Sequence, residues 1–527
     1  MPVTVPGTNG GTVTLTASSG DDLALSQQLS HAMNKLAQAD KLAITQISVS
    51  GATTIADPPS VSSGTERAVI LVGGSDVNVT VPAGYHHVIH NTTGRATIVG
   101  SDVAIITNSS GGSVSVSGNS TVAASGGHNA LSATGNYQLS AGLGSDTIIG
   151  FGSGTIAGGS GPSNTLIGGG GSNHIISSGT NDFVVAHSGT TTVTSSGNGA
   201  GILGGTGGMN VSVSGTGTTV SAGNADLRLI HSGSSGVVFG GSGSTASSFI
   251  LHDQGNSNTV AAGDSNSTVH AGGSNGLVFG GSGDLSATLG GSSNTIVGGA
   301  GGATINASSA GVIFGGFGRM DFVGGGGGAV TILGATGDGI HATVGGGGLM
   351  LSSGSGNNST IVGGSGGATL FGGSGSSITY ISDQAAATML GGSGSQTLSG
   401  AGSSTGNLFS VGQDALSQIV MIGGNGSDTL FAGAGSASMT GGASGDMFAF
   451  FNVNTRGNGN VITDFGGEDV VFILGYDPYE SASKLQDNAI VDAGGVTLTL
   501  SDSTTITFSN LTSASQLDGR IFYPHIV

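Results

Sequence analysis

The sequence predicts an all-β protein, a right-handed parallel β-helix or β-roll solenoid, on three observations. Short β-branched runs such as Thr147 to Ile149 recur at fixed distances from glycines, a register that a disordered chain would not require. Three nine-residue units lie end to end from Gly423, Ala432 and Gly441. The 527 residues include 108 glycines, six tyrosines and no tryptophan, which is too little apolar bulk for one globular core. A solenoid needs less, because its narrow core grows one coil at a time.

The three units read GGNGSDTLF, AGAGSASMT and GGASGDMFA. The first fits the nonapeptide G-G-x-G-x-D-x-U-x, where U is apolar, a pattern that builds parallel β-helices and binds Ca²⁺. Its glycines permit a tight turn and leave carbonyl oxygens unshielded, and its aspartate supplies a hard anionic oxygen. One unit is half a coil, so Asp428 and Asp446, 18 residues apart, should face one site between coils. Ala437 takes the opposite edge, which should carry no ion.

The first 65 residues are predicted to form a separate N-terminal segment with one amphipathic helix. From Asp21 to about Lys41 the apolar residues follow a helical period, with Leu25, Leu29 and Met33 on one stripe. The helix would act either as a cap over the first coil or as a docking element for another subunit. A linker around Pro58-Pro59 ends this segment near residue 65.

Residues 66–405 are predicted to form a glycine-rich β-solenoid. Asp146, Asn164 and Asp182 are spaced at 18 residues and should share one edge, where Asp146 and Asp182 are further candidate Ca²⁺ ligands. At such positions asparagine side chains can form ladders of amide hydrogen bonds, whereas aspartate would bind an ion. Near copies of GVVFGGSG begin at Gly236, Gly276 and Gly311. Most aspartate positions of this region hold Ala, Ser, Asn or Gln, so most of its coils should stack without metal.

The composition excludes several classes of partner. The formal charge is −19, and only nine Lys and Arg are scattered along the chain, so no basic patch offers a site for nucleic acid or an anionic membrane. No apolar run reaches the length of a membrane span, and no cleavable signal peptide is predicted at the N-terminus. The chain has no cysteine, which excludes disulfides and thiolate metal sites.

Residues 406–527 carry a more specific pattern. The nonapeptides are followed by VITDF at 461–465, by GGVTLTLSDSTTITFSN at 494–510, whose two strands should turn at Asp502-Ser503, and by residues 517–522. In these motifs the region resembles the C-terminal calcium-binding module of RTX proteins exported by type I secretion. The whole chain is more similar to the surface-layer and adhesin members of that family than to its proteases.

The resemblance implies a ligand set, a cofactor and a route of export. The ligands would be the carboxylates of Asp428 and Asp446 together with backbone carbonyls of the glycine turns, at Gly424, Gly426, Gly442 and Ser444. The cofactor would be Ca²⁺, which fills the repeats outside the cell and folds them. An uncleaved C-terminal signal would engage the type I exporter, and the last residues, Tyr523 to Val527, end in aliphatic side chains as many such signals do.

No catalytic motif appears, and an enzyme is not expected. The sequence contains no H-E-x-x-H zinc motif, no Walker lysine and no cysteine nucleophile. The three histidines between Tyr85 and His90 are predicted to lie on a surface strand. The expected function is an extracellular structural protein that forms homo-oligomers or polymers in a surface layer, filament or biofilm matrix. The alternative is an adhesin or carbohydrate-binding protein that holds cell-surface polysaccharide, and the third possibility is a β-helix enzyme acting on polysaccharide.

Overall fold

The computed structural model describes residues 2–16, 21–74, 76–108, 111–242, 248–324, 326–334, 339–355, 358–373, 377–411, 418–452, 458–476 and 481–524. Residues 525–527, which belong to the predicted export signal, lie outside this part of the chain. The fold is a parallel β-solenoid, nearly all-β, as the sequence predicts. It divides into two compact units, an N-terminal unit, Met1–Ser267, and a C-terminal unit, Thr268–Val527.

The N-terminal unit begins with an antiparallel hairpin and a helix. The hairpin pairs β1 (Pro2–Pro6) with β2 (Thr12–Thr16) around a short 3-10 helix at Thr8–Gly10. The helix α1 spans Asp21–Gln38 and ends three residues before the predicted Lys41.

The remaining strands of this unit form its coils. In chain order they are β3 (Leu42–Ser48), β4 (Gly51–Thr54), β5 (Glu66–Gly73), β6 (Val77–Thr80), β7 (His87–Thr92), β8 (Ala96–Ser101), β9 (Ala104–Thr107), β10 (Gly111–Ser117), β11 (Asn119–Ala124), β12 (His128–Ala133), β13 (Asn136–Ala141), β14 (Thr147–Gly150), β15 (Ser153–Ala157), β16 (Thr165–Gly168), β17 (Asn173–Ser177), β18 (Phe183–Val185), β19 (Thr191–Ser195), β20 (Gly201–Leu203), β21 (Met209–Val213), β22 (Thr219–Ser221), β23 (Leu227–His231), β24 (Val237–Phe239), β25 (Ser248–Asp253), β26 (Thr259–Ala261) and β27 (Asn266–Ala271), which crosses the boundary between the units.

From β3 to β26 each strand pairs in parallel with the strand two places further along the chain. Odd-numbered strands form one sheet and even-numbered strands form another. One coil therefore consists of two strands, and a nonapeptide is half a coil, as predicted. The first coil begins at Leu42, inside the predicted N-terminal segment 1–65, because β3 pairs with β5 and β4 pairs with β6.

The core is a stack of identical positions from successive coils. In the even-strand sheet one buried column runs through Ile148, Leu166, Val184, Ile202 and Val220, each no more than 2% exposed. Side chains alternate between the two faces of a strand, so the residues on either side of this column point outward. Burial of each such aliphatic side chain stabilises the fold by roughly 1.5–3 kcal/mol, and each further coil adds a similar contribution.

The helix α1 lies along the side of the coils. Its Met33 packs with Val5 and Leu15 of the hairpin against Ile70, Ile89 and Ile106, which form an outward-facing column of the odd-strand sheet. The helix also contacts β11 and β13. It therefore covers an apolar face of several coils, whereas the predicted cap would lie over the first coil alone.

The histidine-rich stretch is not a surface strand, so that prediction is wrong. His87 is buried and His90 is fully buried, although His86 is exposed. The imidazole of His90 lies in the core between the hydroxyls of Thr107 and Thr92, each 2.9 Å from a ring nitrogen. Because each nitrogen has a hydroxyl partner, the ring can be buried in its neutral form.

The burial of His90 predicts a loss of stability in acid. Burial lowers the pKa of His90 to about 4, below its ordinary value of 6.5. The unfolded chain then binds the proton more readily, so the free energy of unfolding falls as the pH drops from 6.5 towards 4. Replacement His90→Gln keeps a donor and an acceptor but removes the titration. The loss of unfolding free energy between pH 7 and pH 4.5 should then shrink by about 2–3 kcal/mol in urea titrations. His86→Gln is the control, and an equal change in both variants would contradict the assignment.

The C-terminal unit repeats the same arrangement. Its strands are β28 (Leu277–Phe279), β29 (Leu285–Leu289), β30 (Asn294–Val297), β31 (Ala303–Ala307), β32 (Gly311–Phe314), β33 (Met320–Gly324), β34 (Val330–Leu333), β35 (Ile340–Val344), β36 (Leu349–Ser352), β37 (Ser359–Val362), β38 (Ala368–Phe371), β39 (Ile378–Ile381), β40 (Ala387–Leu390), β41 (Gln396–Ser399), β42 (Leu408–Ser410), β43 (Gln418–Ile422), β44 (Thr429–Ala432), β45 (Ser436–Thr440), β46 (Met447–Phe451), β47 (Gly459–Ile462), β48 (Val470–Leu474), β49 (Ile490–Asp492), β50 (Gly495–Thr499), β51 (Thr505–Phe508) and β52 (Ile521–Phe522).

Within this unit the odd-numbered strands from β29 to β47 and the even-numbered strands from β28 to β48 form two parallel sheets. The pairing continues through residue 405, where the sequence predicts a domain boundary.

The last part of the C-terminal unit changes character, as predicted. A short helix, α2 (Ala482–Asp487), precedes the antiparallel strands β49, β50 and β51, and a 3-10 helix at Ala514–Leu517 follows them. The predicted turn at Asp502-Ser503 is confirmed, with the Asp502 carboxylate accepting from the Thr504 N–H. Strand β51 continues the odd-strand sheet and β52 the even-strand sheet. Neither helix in the described part of the chain has the length and apolar character to cross a membrane.

Candidate functional site

A ladder of polar side chains stands at one corner of the C-terminal coils. Asn407, Asp428, Asp446 and Asp469 each immediately precede an even-numbered strand, β42, β44, β46 and β48 respectively, and we call them the acidic ladder. All four are buried. The Asp428 and Asp446 carboxylates therefore lie at one corner of adjacent coils, as their 18-residue spacing predicts.

Each side chain of the acidic ladder serves the coil before it. The Asp428 Oδ1 accepts from the Asn407 N–H at 2.5 Å, and the Asp446 Oδ1 accepts from the Asp428 N–H at 2.7 Å. The Asp469 Oδ1 accepts from the Asp446 N–H at 2.9 Å. The first task of these carboxylates is thus to satisfy backbone N–H groups that the corner removes from water.

The second carboxylate oxygens differ along the ladder. The Asp428 Oδ2 accepts from the Gly424 N–H of its own turn at 2.6 Å, and the Asp469 Oδ2 accepts from the Gly466 N–H at 2.6 Å. The Asp446 Oδ2 is buried and has no hydrogen-bond partner. Among the second oxygens of the three ladder carboxylates, this one is open to a further ligand.

The neighbouring Asp464 explains why this oxygen is left over. By analogy with Gly424, the N–H of Gly442 would serve the Asp446 carboxylate, four residues on. It donates instead to the Asp464 Oδ2 at 2.8 Å, and the Gly441 N–H donates to the Asp464 Oδ1 at 2.8 Å. A fourth carboxylate therefore occupies the turn and brings further negative charge to the corner.

The electrostatics of this corner oppose the ionised form of Asp446. Burial, with the carboxylates of Asp469, Asp428 and Asp464, raises the pKa of Asp446 to about 7, although the hydrogen bond from the Asp428 N–H lowers it. Arg520 donates to the Gly466 carbonyl and lies over the Phe465 ring, in the segment that leads to Asp469. A bound cation at Asp446 would relieve the repulsion and satisfy the remaining oxygen.

The glycines of the nonapeptide make room for the carboxylates. A Cβ at Gly441 would lie 2.3 Å from the Asp446 Oδ2, and a Cβ at Gly423 would lie 2.3 Å from the Asp428 Oδ2. Both positions are closed to any larger residue, which is a stronger reason for glycine than turn geometry alone. Gly442 also has a positive φ of 102°.

The other predicted ligands of this turn have structural contacts. Ser444 has a positive φ of 76°, and its hydroxyl donates to the Asn425 carbonyl of the preceding coil at 2.9 Å. A Cβ at Gly426 would lie 2.4 Å from the carbonyl carbon of Thr405, and one at Gly424 would lie 2.4 Å from the Ser403 carbonyl oxygen. Their tight stacking leaves the backbone carbonyls as the groups that these residues could offer to a cation.

The predicted pair in the N-terminal unit occupies the same kind of corner. Asn164 separates Asp146 from Asp182, and the Asp146 N–H donates to the Asn164 Oδ1 at 2.9 Å, so the predicted shared edge is confirmed. The Asp182 Oδ1 accepts from the N–H and Nδ2 of Asn164, and its Oδ2 accepts from Ser177 Oγ at 2.9 Å and the Gly179 N–H at 3.0 Å. Burial raises the pKa of Asp182, and these hydrogen bonds lower it. The Asp182 carboxylate is fully satisfied by protein groups.

Three members of the site were not assigned to it from the sequence. Asn407, Asp464 and Asp469 lie outside the nonapeptide units from which the ligands are predicted. The 21-residue step from Asn407 to Asp428 and the 23-residue step from Asp446 to Asp469 break the nonapeptide period. A polar residue directly before each apolar strand start was the available signal.

Among the described residues, no three His, Asp or Glu side chains come together in an arrangement that could hold a metal ion. A cation at Asp446 would therefore take most of its ligands from backbone carbonyl oxygens, which Ca²⁺ accepts. No protein-family model matches the chain, and no curated protein is similar to it in sequence.

Proposed function

We propose that this chain is a secreted structural protein that folds on Ca²⁺ outside the cell and self-assembles into a surface layer, filament or biofilm matrix. The observation that carries the proposal is the unpartnered, buried Asp446 Oδ2 beside the carboxylates of Asp428, Asp464 and Asp469. A coil corner with this charge is poorly stable alone and is completed by a hard divalent cation.

The proposed cation holders are the Asp446 carboxylate and carbonyl oxygens of the turns that contain Gly424, Gly426, Gly442 and Ser444. When bound, Ca²⁺ supplies the positive charge that this corner lacks. The chain's own groups position the site: the Asp428 N–H fixes one oxygen of Asp446, and Gly441 leaves space for the other. Asp428, Asp146 and Asp182 then contribute mainly as hydrogen-bond acceptors that stack the coils.

The repetition of the coils supports the proposed structural role. Outside the acidic corner each coil adds the same buried column and the same ladder of backbone hydrogen bonds, a construction that suits a long, inert scaffold. The type I exporter enters the proposal through the motifs of residues 406–527, which resemble those of exported RTX proteins.

Electron microscopy of the purified full chain, with and without Ca²⁺, tests the proposal. Ordered layers or filaments should form in millimolar Ca²⁺ and disappear when a chelator is added, because the C-terminal coils lose their cation. Mg²⁺ at the same concentration is the matched control, since it dehydrates reluctantly and favours a smaller octahedral site. A folded monomer that persists at all Ca²⁺ concentrations would contradict self-assembly.

A groove in the N-terminal unit favours carbohydrate binding as a second candidate. It has a volume of about 670 Å³ and is lined by small side chains such as Ser113 and Ala130, with the exposed Asp76, Arg95 and His128 among them. Charged and polar groups beside a shallow floor suit the hydroxyls of an oligosaccharide. A persistent monomer that binds a glycan array, and loses that binding in Arg95→Ala, would establish this function instead.

A further inference from the structure

The outward face of each even-strand sheet carries a column of mainly apolar residues. In the N-terminal unit, strand pairing aligns the column Val185, Leu203, Ser221, Phe239 and Ala261. In the C-terminal unit it aligns the column Phe279, Val297, Phe314, Leu333, Ser352, Phe371, Leu390, Ser410 and Phe431. We call these two columns the apolar face.

The large side chains of the apolar face point into solvent. Phe239, Phe314 and Phe371 are 46%, 38% and 41% exposed. By contrast, Val238, which precedes Phe239, and Ile313, which precedes Phe314, are almost completely buried in the core. Exposed apolar side chains are ordinary singly, but a row of them in register marks a contact surface.

On the other sheet of the N-terminal unit, an outward apolar column is covered by other parts of the chain. On the odd-strand sheet of the N-terminal unit, the outward Ile70, Ile89 and Ile106 are buried beneath α1 and the first hairpin. The apolar face keeps its exposure in the described part of the chain.

The face also lacks charge. In the even-numbered strands from β14 to β44 no residue is Asp, Glu, Lys, Arg or His, whereas the odd-numbered strands carry Arg228, Asp321 and His341, among others. Copies of a chain with a formal charge of −19 repel each other, and the strands of this face add no charge to that repulsion. An anionic lipid surface would find no basic residue on it.

We infer that the apolar face packs against the apolar face of a second copy of this chain. Its rows repeat at the spacing of parallel strands, about 4.8 Å, and a partner can interdigitate with them only if its own rows repeat at that distance. Another copy meets that requirement. The small Ser221, Ser352 and Ser410 leave gaps between bulkier neighbours that a partner's side chains can fill.

The area of the face fits such a contact. With strands about 4.8 Å apart and roughly 10 Å of strand length on the face, β28 to β44 present on the order of 400 Å² and β18 to β26 on the order of 200 Å². Contact between the C-terminal columns of two copies would bury on the order of 800 Å² in total, the size of a weak contact that depends on concentration.

The inference rests on the proposed assembly and names its contact: copies associate side by side through a sheet face, in contrast to growth from the solenoid ends. The test uses the full chain in Ca²⁺ and the triple variant Phe239→Thr, Phe314→Thr and Phe371→Thr, because short hydroxyl side chains already occupy other positions of the columns. The matched control replaces three apolar residues that are even more exposed but lie in turns, Leu143→Thr, Phe151→Thr and Phe317→Thr.

Sedimentation velocity over a range of concentrations measures the pairing, and electron microscopy of the same samples records layers. The face variant should pair more than about tenfold more weakly than the unmodified chain, and the turn variant should pair normally. Equal pairing of both variants, or an unmodified chain that stays monomeric or binds liposomes or polysaccharide through this face, would overturn the inference.

The two proposals fail separately. Layers that form equally well from the face variant would overturn the lateral contact and leave the proposed function intact. Pairs that depend on the phenylalanines but form no layers or filaments would support the lateral contact and contradict the proposed function. If the triple variant does not fold, single cysteines introduced into the cysteine-free chain replace it. Ser352→Cys on the face should cross-link between copies with a short bismaleimide, and Thr343→Cys on the odd-strand sheet should not.

Discussion

Replacement of Asp446 by asparagine is expected to abolish the stabilisation of the C-terminal coils by Ca²⁺. Saturation of the unmodified chain to about one hundred times the dissociation constant should raise its unfolding free energy by about 2.7 kcal/mol. The variant should gain little, because its amide removes both the charge and the free anionic oxygen. Thermal unfolding in chelator and in millimolar Ca²⁺ measures both values.

The same substitution should stabilise the protein in the absence of Ca²⁺ by about 1–2 kcal/mol, since it removes a buried charge that three other carboxylates repel. Asparagine already fills this position in the ladder at Asn407, whose Oδ1 accepts from the Ala387 N–H at 3.0 Å. Asp487→Asn, which removes an exposed charge at the end of α2, is the control. An undiminished response to Ca²⁺ in Asp446→Asn would place the cation elsewhere.

Replacement of Gly441 by alanine is expected to destabilise the C-terminal unit by roughly 2–4 kcal/mol. The new Cβ would lie 2.3 Å from the Asp446 Oδ2, so the carboxylate or the turn must move, and the buried network offers no space. The variant should also respond less to Ca²⁺. Urea denaturation followed by circular dichroism measures the first effect.

Gly467→Ala is the matched control for this prediction. Gly467 lies near the same corner, yet a Cβ there meets no atom within 4 Å. Its replacement should be neutral or slightly stabilising, because alanine reduces the entropy of the unfolded chain. Equal stability of the two variants would mean that the carboxylate is free to turn away from Gly441.

The regularity of the repeat explains which parts of the fold can be predicted from the sequence. Where coils have 18 residues, as between Asp428 and Asp446, counting alone gives the pairing and the shared corner. The helix α1 and the turn at Asp502-Ser503 follow from local patterns that need no knowledge of the stacking. The position of α1 does not, since it depends on an apolar column assembled from Ile70, Ile89 and Ile106.

Other parts of the fold cannot be predicted by counting residues, because the coils differ in length. Phe279, Phe314 and Phe371 are irregularly spaced in the sequence because the connecting turns differ in length, and only strand pairing brings them into one column. The motif also does not predict which groups the carboxylate oxygens contact. A glycine turn with an aspartate predicts a cation ligand, and the use of its oxygens by backbone N–H groups depends on the coil beside it.

The acidic ladder has one more consequence, for how such a chain can lengthen. Asp428 and Asp446 each accept from the N–H of the ladder residue one coil earlier and donate their own N–H to the ladder residue one coil later, so each pair of neighbouring coils shares the same bond. A duplicated coil can be inserted between two others and find both partners in place, with no new contact to invent. Tandem duplication of an 18-residue segment is thus a nearly neutral event for this architecture. The near copies at Gly236, Gly276 and Gly311 are 40 and 35 residues apart, about two coils each, as duplication of a pair of coils would leave them.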